Sequence, residues 1–318
     1  MKKNLLFVII GILLPIGLIQ AQDTTAIKSD TTWKTGGFLS ANINQVNLTN
    51  WAAGGESSYS ITGLFNYFAN YRFNGATWDN ALDLGYGVIK SEANPIRKNE
   101  DKIELNSKYG EQATGSFYYS ALMNFRTQFA AGYNYPNDSV EISNFAAPAY
   151  ITAALGIDYR PVQSFSIFLS PATGRITIVT NQVLADSGAF GVDKAEFDAS
   201  GNMIKEGKNV RIEFGVLLSA KYQNTIMENV DLLTKITMFD NYTDKNTSNR
   251  TNVDVNWDLL LTMKVNKYIS ASIFANVIYD HDIDVPTYET INGVKTEVGK
   301  GPKTQFKETL GIGLGYRF

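Results

Sequence analysis

The only histidine of the sequence, His281, stands in the acidic stretch Asp280–Asp284. A histidine flanked by carboxylates is the arrangement used in acid-assisted hydrolysis, because imidazole moves a proton near neutral pH and an acid orients it. A single histidine excludes metal sites built from several imidazoles. Alternation along the preceding residues places His281 on an outward face, away from an enclosed site. A solvated rim residue is the simpler interpretation, and we assign no catalytic residue.

The carboxylates of Asp280, Asp282 and Asp284 also match the start of a calcium loop. Oxygen ligands at alternate positions converge on a hard cation, but such a loop needs a later bidentate acid and a turn glycine at set offsets. Glu289 is close enough to be that acid, whereas Gly293 stands at the wrong offset. An acidic, solvated loop is the better interpretation, so we assign no metal ligand and no cofactor to the sequence.

Charged residues of both signs recur on one face of the predicted strands. Eight of them are expected to line an enclosed lumen: Lys102, Glu104, Arg126, Arg211, Glu213, Lys221, Asp254 and Asp258. Such a lining filters solutes by charge in a hydrated pore. Paired charges can equally fill a barrel interior, since pairing makes their burial tolerable. Bulky inward residues favour a narrowed lumen, and these are Phe68, Leu122, Leu217 and Leu260.

A side-chain period of two residues sets these faces. Within 58–73, 210–223 and 253–265, apolar residues alternate with polar or charged ones. Successive side chains of a strand point to opposite faces, so each segment has one apolar and one polar face. The same test predicts about twelve strands, at 36–49, 57–73, 77–90, 101–110, 115–131, 150–160, 164–180, 209–223, 229–242, 252–266, 268–281 and 304–318. Pro171 and Gly174 make the strand at 164–180 the weakest of these.

The links between the predicted strands alternate strictly between short and long. The short ones are 73–77, 111–115, 160–163, 224–228 and 266–267, and the long ones are 50–56, 91–100, 132–149, 181–208, 243–251 and 282–303. Short periplasmic turns opposite long extracellular loops are typical of outer-membrane barrels. A soluble β-sandwich has no reason to sort its loops in this way. The sequence therefore predicts an all-β, transmembrane, antiparallel up-and-down β-barrel.

Both ends of the sequence carry patterns of export and insertion. Lys2 and Lys3 precede an apolar run and a small-residue site, which predicts a signal peptide at 1–21. Residues 22–32 are expected to form a short polar tail, and 33–318 the barrel. The last strand resembles the segment that outer-membrane barrels present to their insertion machinery, and the residues that carry this resemblance are Gly313, Tyr316 and Phe318. We therefore expect export to the outer membrane of a Gram-negative-type cell.

The composition limits the kinds of partner that we expect for this protein. A formal net charge of −3 argues against a nucleic-acid partner, which needs a basic face. Cysteine is absent, which excludes disulfides and thiolate metal sites. The expected partners are outer-membrane lipid, the barrel-insertion machinery and, for an accessory role, another envelope protein.

Several motifs resemble those of a known family. They are Trp33-Lys34-Thr35-Gly36-Gly37, Asn50-Trp51-Ala52-Ala53-Gly54-Gly55-Glu56, Ser170-Pro171-Ala172-Thr173-Gly174-Arg175, the stretch from Leu184 to Val192, and the ending Gly313-Leu314-Gly315-Tyr316-Arg317-Phe318. In this order, from about residue 33 to 318, they are similar to the secreted outer-membrane β-barrel family catalogued as domain of unknown function 3078. The resemblance implies an outer-membrane location and offers no catalytic or binding residues.

Three functions from different classes follow from the sequence. The first is a narrow passive channel for small polar solutes, which uses the charged lumen and needs no catalysis. The second is a structural or accessory subunit of an outer-membrane envelope complex, which uses the loops or the lipid face for docking. The third is an outer-membrane hydrolase that depends on His281. We carry the channel forward as the preferred interpretation, and with it the expectation that the protein is not an enzyme.

Overall fold

The computed structural model describes residues 32–46, 57–92, 95–133, 135, 138–266, 268–291 and 294–318. The predicted signal peptide at 1–21, the tail before residue 32 and the predicted loop at 50–56 lie outside these residues. In chain order the strands are β1 (Trp33–Val46), β2 (Ser58–Phe73), β3 (Ala76–Ser91), β4 (Arg97–Thr114), β5 (Phe117–Thr127), β6 (Gly132–Tyr133), β7 (Glu141–Ser143), β8 (Ala149–Val162), β9 (Phe165–Ile178), β10 (Glu196–Phe197), β11 (Met203–Lys205), β12 (Val210–Met227), β13 (Val230–Asn241), β14 (Val253–Lys264), β15 (Ile269–Tyr279), β16 (Asp284–Ile291), β17 (Val294–Pro302) and β18 (Gln305–Arg317). One short helix, α1 (Gln182–Asp186), follows β9.

Within the described residues, twelve strands close into one antiparallel barrel. Their order around the wall is β1, β18, β15, β14, β13, β12, β9, β8, β5, β4, β3 and β2. Three small hairpins lie in the loops: β6 with β7, β10 with β11 and β16 with β17. When these are set aside, each strand pairs with its neighbours along the chain. The predicted twelve-strand up-and-down barrel is confirmed.

Short turns and long loops alternate around the barrel as predicted. The turn between β2 and β3 is Asn74-Gly75, and both residues have positive φ, 47° and 81°. A two-residue turn of this kind follows the twist of the flanking strands, and Asn and Gly tolerate such backbone angles. Two predicted turns were too long, because β4 continues to Thr114 and β12 to Met227. Polar residues at these strand ends resemble a turn in sequence, yet they extend the ladder beyond the apolar band.

The outer face of the barrel is apolar and exposed. On β18 the alternate residues Phe306, Leu310, Ile312, Leu314 and Tyr316 are each more than 60% exposed. A continuous exposed belt of this kind is stable only against lipid. Aromatic rings gather at its edge near the short turns, where Trp33 lies 5.2 Å from Tyr71 and 5.8 Å from Trp78, centroid to centroid. Among the described residues, no helix has the length and apolar character needed to span a bilayer.

A β-bulge reverses the side-chain alternation of β9. Ser170 and Thr173 pair with Leu217 and Gly215 of β12, so Pro171 and Ala172 share the position opposite Val216. The hydroxyl of Ser170 donates to the carbonyl of Leu155 at 2.8 Å. Proline is tolerated at such a bulge because it has no amide hydrogen to lose from the ladder. Inward residues are even-numbered before the bulge and odd-numbered after it.

The segment at 179–209, which we call the mouth loop, has a small core of its own. Val179, Leu184, Ala185 and Val192 are buried with Ala147 of the preceding long loop. Asn181 caps α1, its Oδ1 accepting from the backbone N–H of Val183 at 3.0 Å. The backbone N–H of Val179 donates to the carbonyl of Asn209 at 2.7 Å, so the two ends of the mouth loop are joined.

The barrel closes at the seam between its first and last strands. Residues 38–42 of β1 pair with 313–317 of β18, which is the shortest pairing among the twelve in the described residues. Reciprocal backbone hydrogen bonds between Gly37 and Phe318, at 2.9 and 3.2 Å, extend it. A Cβ atom on Gly37 would lie 2.8 Å from the Phe318 ring and would overlap the carbonyl oxygen of Asn66. The glycine thus leaves room for the last aromatic ring.

Candidate functional site

A network of ion pairs lies inside the barrel near the long loops, and we call it the upper cluster. At its centre, Arg175 of β9 donates from Nε and Nη2 to Glu213 of β12 at 2.8 and 2.9 Å. The same guanidinium reaches Asp254 of β14, with Nη2 to Oδ2 at 2.7 Å. The Glu213 side chain is only 1% exposed. Two-pronged contacts with a carboxylate are the strongest that arginine makes, and they satisfy an otherwise costly buried charge.

Arg211 connects the upper cluster to the mouth loop. Its Nη2 donates to Glu213 at 2.8 Å and also pairs with Asp282, which follows β15. Its Nη1 donates to the carbonyl of Gly191 in the mouth loop at 3.3 Å. Since β12 and β15 are three places apart around the wall, these contacts draw the mouth loop over the lumen. The mouth loop is therefore held against the charged residues at the long-loop end of the barrel.

Asp193, on the exposed side of the mouth loop, joins this loop to the loop between β13 and β14. Its carboxylate accepts from Lys245, in the loop between β13 and β14, at 2.6 Å, and from Lys208 at 2.9 Å. Hydrogen bonds from these two ammonium groups lower the pKa of Asp193 to about 2. The bridge is therefore intact throughout the physiological pH range.

Another ion-pair network, the lower cluster, lies nearer the short turns. Asp158 of β8 is fully buried, and its Oδ2 accepts from Lys108 of β4 at 2.6 Å and from Arg160 at 2.7 Å. Arg160 also reaches Asp79 of β3 at 3.1 Å. This network crosses from β8 to β3, past two intervening strands. It fills one side of the lower lumen with paired charge.

Apolar side chains fill the space between the two clusters on the same side of the lumen. Phe168, Leu217 and Phe239 are at most 5% exposed, and they pack with Ala154 and the partly buried Leu122. Arg175 lies 4.4 Å above the ring of Phe239, and Lys108 lies 5.7 Å from that of Phe168. Cations over aromatic faces are favourable contacts, so the rings join the clusters into one layer.

Several charged side chains elsewhere on the inner wall are exposed. Side-chain exposure is 42% for Lys307 near the long loops, 29% for Lys102 farther down and 36% for Lys264 near the short turns. Lys221, on the inward face of β12, is also exposed. Lys307 pairs with Glu100 of β4 at 2.5 Å, reaching across from β18. Charged side chains are thus in contact with water at several heights of the lumen.

Glu104 and Arg126 lie at mid-height. Glu104 accepts from Lys102 at 2.7 Å and from the side-chain amide of Asn124 at 3.1 Å. Arg126 of β5 stands opposite Glu104 in register but forms no ion pair within 4.0 Å in the described part of the chain. The charges of Arg126 and of Lys235, on β13, both act on the Glu104 carboxylate. Charged residues from β4, β5 and β13 therefore act on one another at this level.

Residues 43–133 match the model of the family described as a protein of unknown function, DUF3078. The resemblance predicted from the motifs is confirmed over that part of the chain. Comparison with curated proteins gives no match. Among solved structures, an outer membrane channel from Pseudomonas putida F1 is 10% identical with a TM-score of 0.37, covering 92% of this chain and 100% of its own. The NanC porin is 8% identical with a TM-score of 0.36, covering 88% and 99%.

A third similar structure is the translocator domain of the autotransporter NalP from Neisseria meningitidis. It is 10% identical with a TM-score of 0.32 and covers 92% of this chain and 90% of its own. The closed strand order and the exposed apolar belt make this chain an outer-membrane β-barrel.

The structure brings several of the sequence-predicted lumen residues together. Arg211, Glu213 and Asp254 meet in the upper cluster, whereas Lys102 and Glu104 form a separate pair. Asp258 accepts from the side-chain amide of Asn276 at 2.8 Å and belongs to neither cluster.

Sequence reasoning missed Arg175, the central residue of the upper cluster. Strict alternation from Phe168 and Ser170 sends position 175 outward, and only the bulge turns it inward. The available signal was chemical, because an arginine in a membrane strand is costly on the lipid face. The ion pairs of Asp158 and Arg160 were missed for a different reason. Alternation predicts the face on which a residue lies but not its partner across the lumen.

The acidic stretch around His281 is engaged in other contacts. Nδ1 of His281 lies 3.2 Å from the hydroxyl of Tyr279, and its backbone N–H donates to Asp254 at 3.4 Å. Asp282 pairs with Arg211, and Asp284 with Lys300 at 3.7 Å. Over the described ranges, no group of three or more His, Cys, Asp or Glu residues has the arrangement of a metal site.

The three residues of the predicted insertion signal lie at the seam. Gly313 pairs with Asn42 and Tyr316 with Leu39. Phe318 stacks on Phe65 of β2, with ring centroids 6.4 Å apart, and on Tyr316 at 6.2 Å. These residues close the barrel in the folded state.

Proposed function

We propose that this protein is a narrow passive channel for small polar solutes. The observation that carries the proposal is the wet side of the lumen, where Lys307, Lys102, Lys221 and Lys264 contact water from one end of the barrel to the other. A sealed barrel buries its inward charges as pairs along its whole length. Among the described residues, the fully buried inward side chains, which include Asp158, Phe168 and Glu213, lie on one side of the lumen, and we infer an off-centre path beside them.

The size limit follows from the mouth loop. Gly191 contacts Arg211 and lies against Asp282, so backbone and charged side chains share the extracellular opening. A solute must pass beside these groups, which favours small, hydrated molecules over large ones. A passive path requires no catalytic residue, and we assign none.

Single-channel recording in planar bilayers tests this function. We expect discrete conductance steps from the purified barrel, and larger steps when residues 181–207 are replaced by a short Gly-Ser linker. The linker is feasible because Val179 and Asn209 already pair at the base of the loop. A silent wild-type barrel would refute the channel. Equal conductance in the two proteins would show that the mouth loop does not limit flow.

We further propose that residues 1–21 are a cleaved signal peptide, 22–32 a polar tail and 33–318 the barrel. Gly313, Tyr316 and Phe318 would then be read by the barrel-insertion machinery before the seam forms. The seam supports this order, because the backbone edge of residues 313–317 can pair with a second protein only while β18 is unpaired from β1. Amino-terminal sequencing of the outer-membrane form tests the cleavage. Residual precursor in that fraction would contradict it.

A further inference from the structure

Two lysines stand directly opposite each other on the inner wall. Lys221 of β12 and Lys235 of β13 are partners in the antiparallel register. Both face inward, since the neighbouring inward residues Ser219 and Thr237 contact each other through their hydroxyls at 3.4 Å. Like charges directly opposite on neighbouring strands destabilise a sheet. We call Lys221 and Lys235 the lysine pair.

The nearby carboxylates form no ion pair with the lysine pair in the described part of the chain. Asp258 is the register partner of Lys235 on β14, but its Oδ1 accepts from Asn276 at 2.8 Å. Asp83 accepts from Asn66 at 2.6 Å. In the described part of the chain, no carboxylate lies within 4.0 Å of either lysine, although every other inward lysine of the two clusters and their rims has such a partner.

More distant charges leave the balance at this level positive. Lys108 acts on Lys221 from the lower cluster, although its own ammonium is paired with Asp158. Asp79 and Asp83 act on Lys221 with the opposite sign. Asp79 is already paired with Arg160, whereas Asp83 keeps its negative charge because its donor, Asn66, is a neutral amide. Four cations at this level, Lys102, Arg126, Lys221 and Lys235, exceed the three carboxylates Asp83, Glu104 and Asp258 by one charge. In the described part of the chain, the lysine pair and Arg126 are the cations of this set without a carboxylate within 4.0 Å, so their charges are available to a mobile ion.

Water reaches this position, because the Lys221 side chain is exposed within the lumen. A fixed positive charge in a hydrated constriction attracts anions and repels cations. We propose that the lysine pair makes the channel selective for small anions, the class that includes chloride, inorganic phosphate and short carboxylates. This inference rests on the proposed channel function and names its solute class.

Reversal potentials across a KCl gradient test the inference. We expect chloride to be more permeant than potassium in the wild-type barrel. The double variant Lys221→Gln with Lys235→Gln should lower the permeability ratio of chloride to potassium by roughly fivefold or more, the effect of one unit charge at contact distance in water. The matched control is Lys205→Gln with Lys300→Gln, which removes two lysines from exposed loop hairpins and should leave the ratio unchanged.

The outcomes separate the two proposals. Conductance with a ratio below one, or a ratio that the double variant leaves unchanged, overturns anion selectivity while the channel stands. The absence of any conductance removes both. A band shift on heating confirms that each variant is folded before recording. If the double variant fails this check, the single variants Lys221→Gln and Lys235→Gln are recorded instead, and each should lower the ratio in part.

Discussion

The guanidinium of Arg175 and the carboxylate of Glu213 face each other through two parallel hydrogen bonds, 2.8 and 2.9 Å long, inside the barrel. Replacing Arg175 with Met should lower the free energy of unfolding by about 3–5 kcal/mol, because a buried carboxylate then loses its main partner. The loss should fall near the lower value, since Arg211 still donates to Glu213. Urea unfolding in detergent, followed by tryptophan fluorescence, measures it.

Arg72→Met is the matched control. Its pair with Asp79 is largely exposed, and such pairs contribute at most about 1 kcal/mol. Equal losses for the two variants would mean that the upper cluster does not stabilise the barrel through charge pairing.

Deleting Ala172 should prevent correct assembly of β9. Without the extra residue, alternation runs through position 175 unbroken and Arg175 faces lipid. An arginine there costs up to about 2–4 kcal/mol, depending on depth, and Glu213 is left without its main partner. The fraction of protein that shows a heat-shifted band after refolding into detergent measures assembly. Pro171→Ala keeps the residue count and should fold, and a deletion variant that folds equally well would disprove the role of the bulge.

The bridge at Asp193 should respond to acid only at very low pH. The pKa of Asp193 in the folded protein, about 2, lies below its ordinary value. Its contribution is therefore complete above the ordinary value and is lost as the pH falls through about 2. Hydrogen exchange at the amide of Lys208, which donates to the carbonyl of Asp193, reports the contact. Asp193→Asn should exchange faster at neutral pH. Exchange that rises in the wild type already near pH 5 would contradict the assignment.

Lys221→Gln should stabilise the barrel slightly at low ionic strength, by about 0.2–1 kcal/mol, because it removes a like charge opposite Lys235. Salt screens this repulsion, so the difference should shrink as the concentration rises. Urea midpoints at low and high salt measure the effect. A variant that is less stable than the wild type at low salt would indicate an attractive partner for Lys221.

Alternation was sufficient to predict the twelve strands of the barrel wall and, except after the bulge in β9, which face of each meets lipid. Val210, Ile212 and Phe214 are exposed on β12, as their spacing requires, while Arg211 and Glu213 turn inward. The same rule failed for Arg175, because one extra residue in a strand reverses every later position. Ion pairs across the lumen could not be predicted from the sequence either. The pair of Lys307 with Glu100, for example, depends on the tilt and closure of the whole barrel wall.

The loops were the least predictable part. The hairpin of β16 and β17 occupies a segment that reads as polar loop, because its alternation is short and mixed. The buried residues Leu184 and Val192 lie too far apart in sequence to show a period, and they meet only through α1 and the turns after it.

The register of residues 38–42 against 313–317 also helps to set the diameter of the barrel. Strand number and the offset at the junction together determine the tilt and the diameter of a barrel. Gly37 permits the observed offset, in which the ring of Phe318 lies over it. The bore is thus fixed by the wall itself, so changes in the outer loops can alter which molecules enter without reshaping the tube they enter.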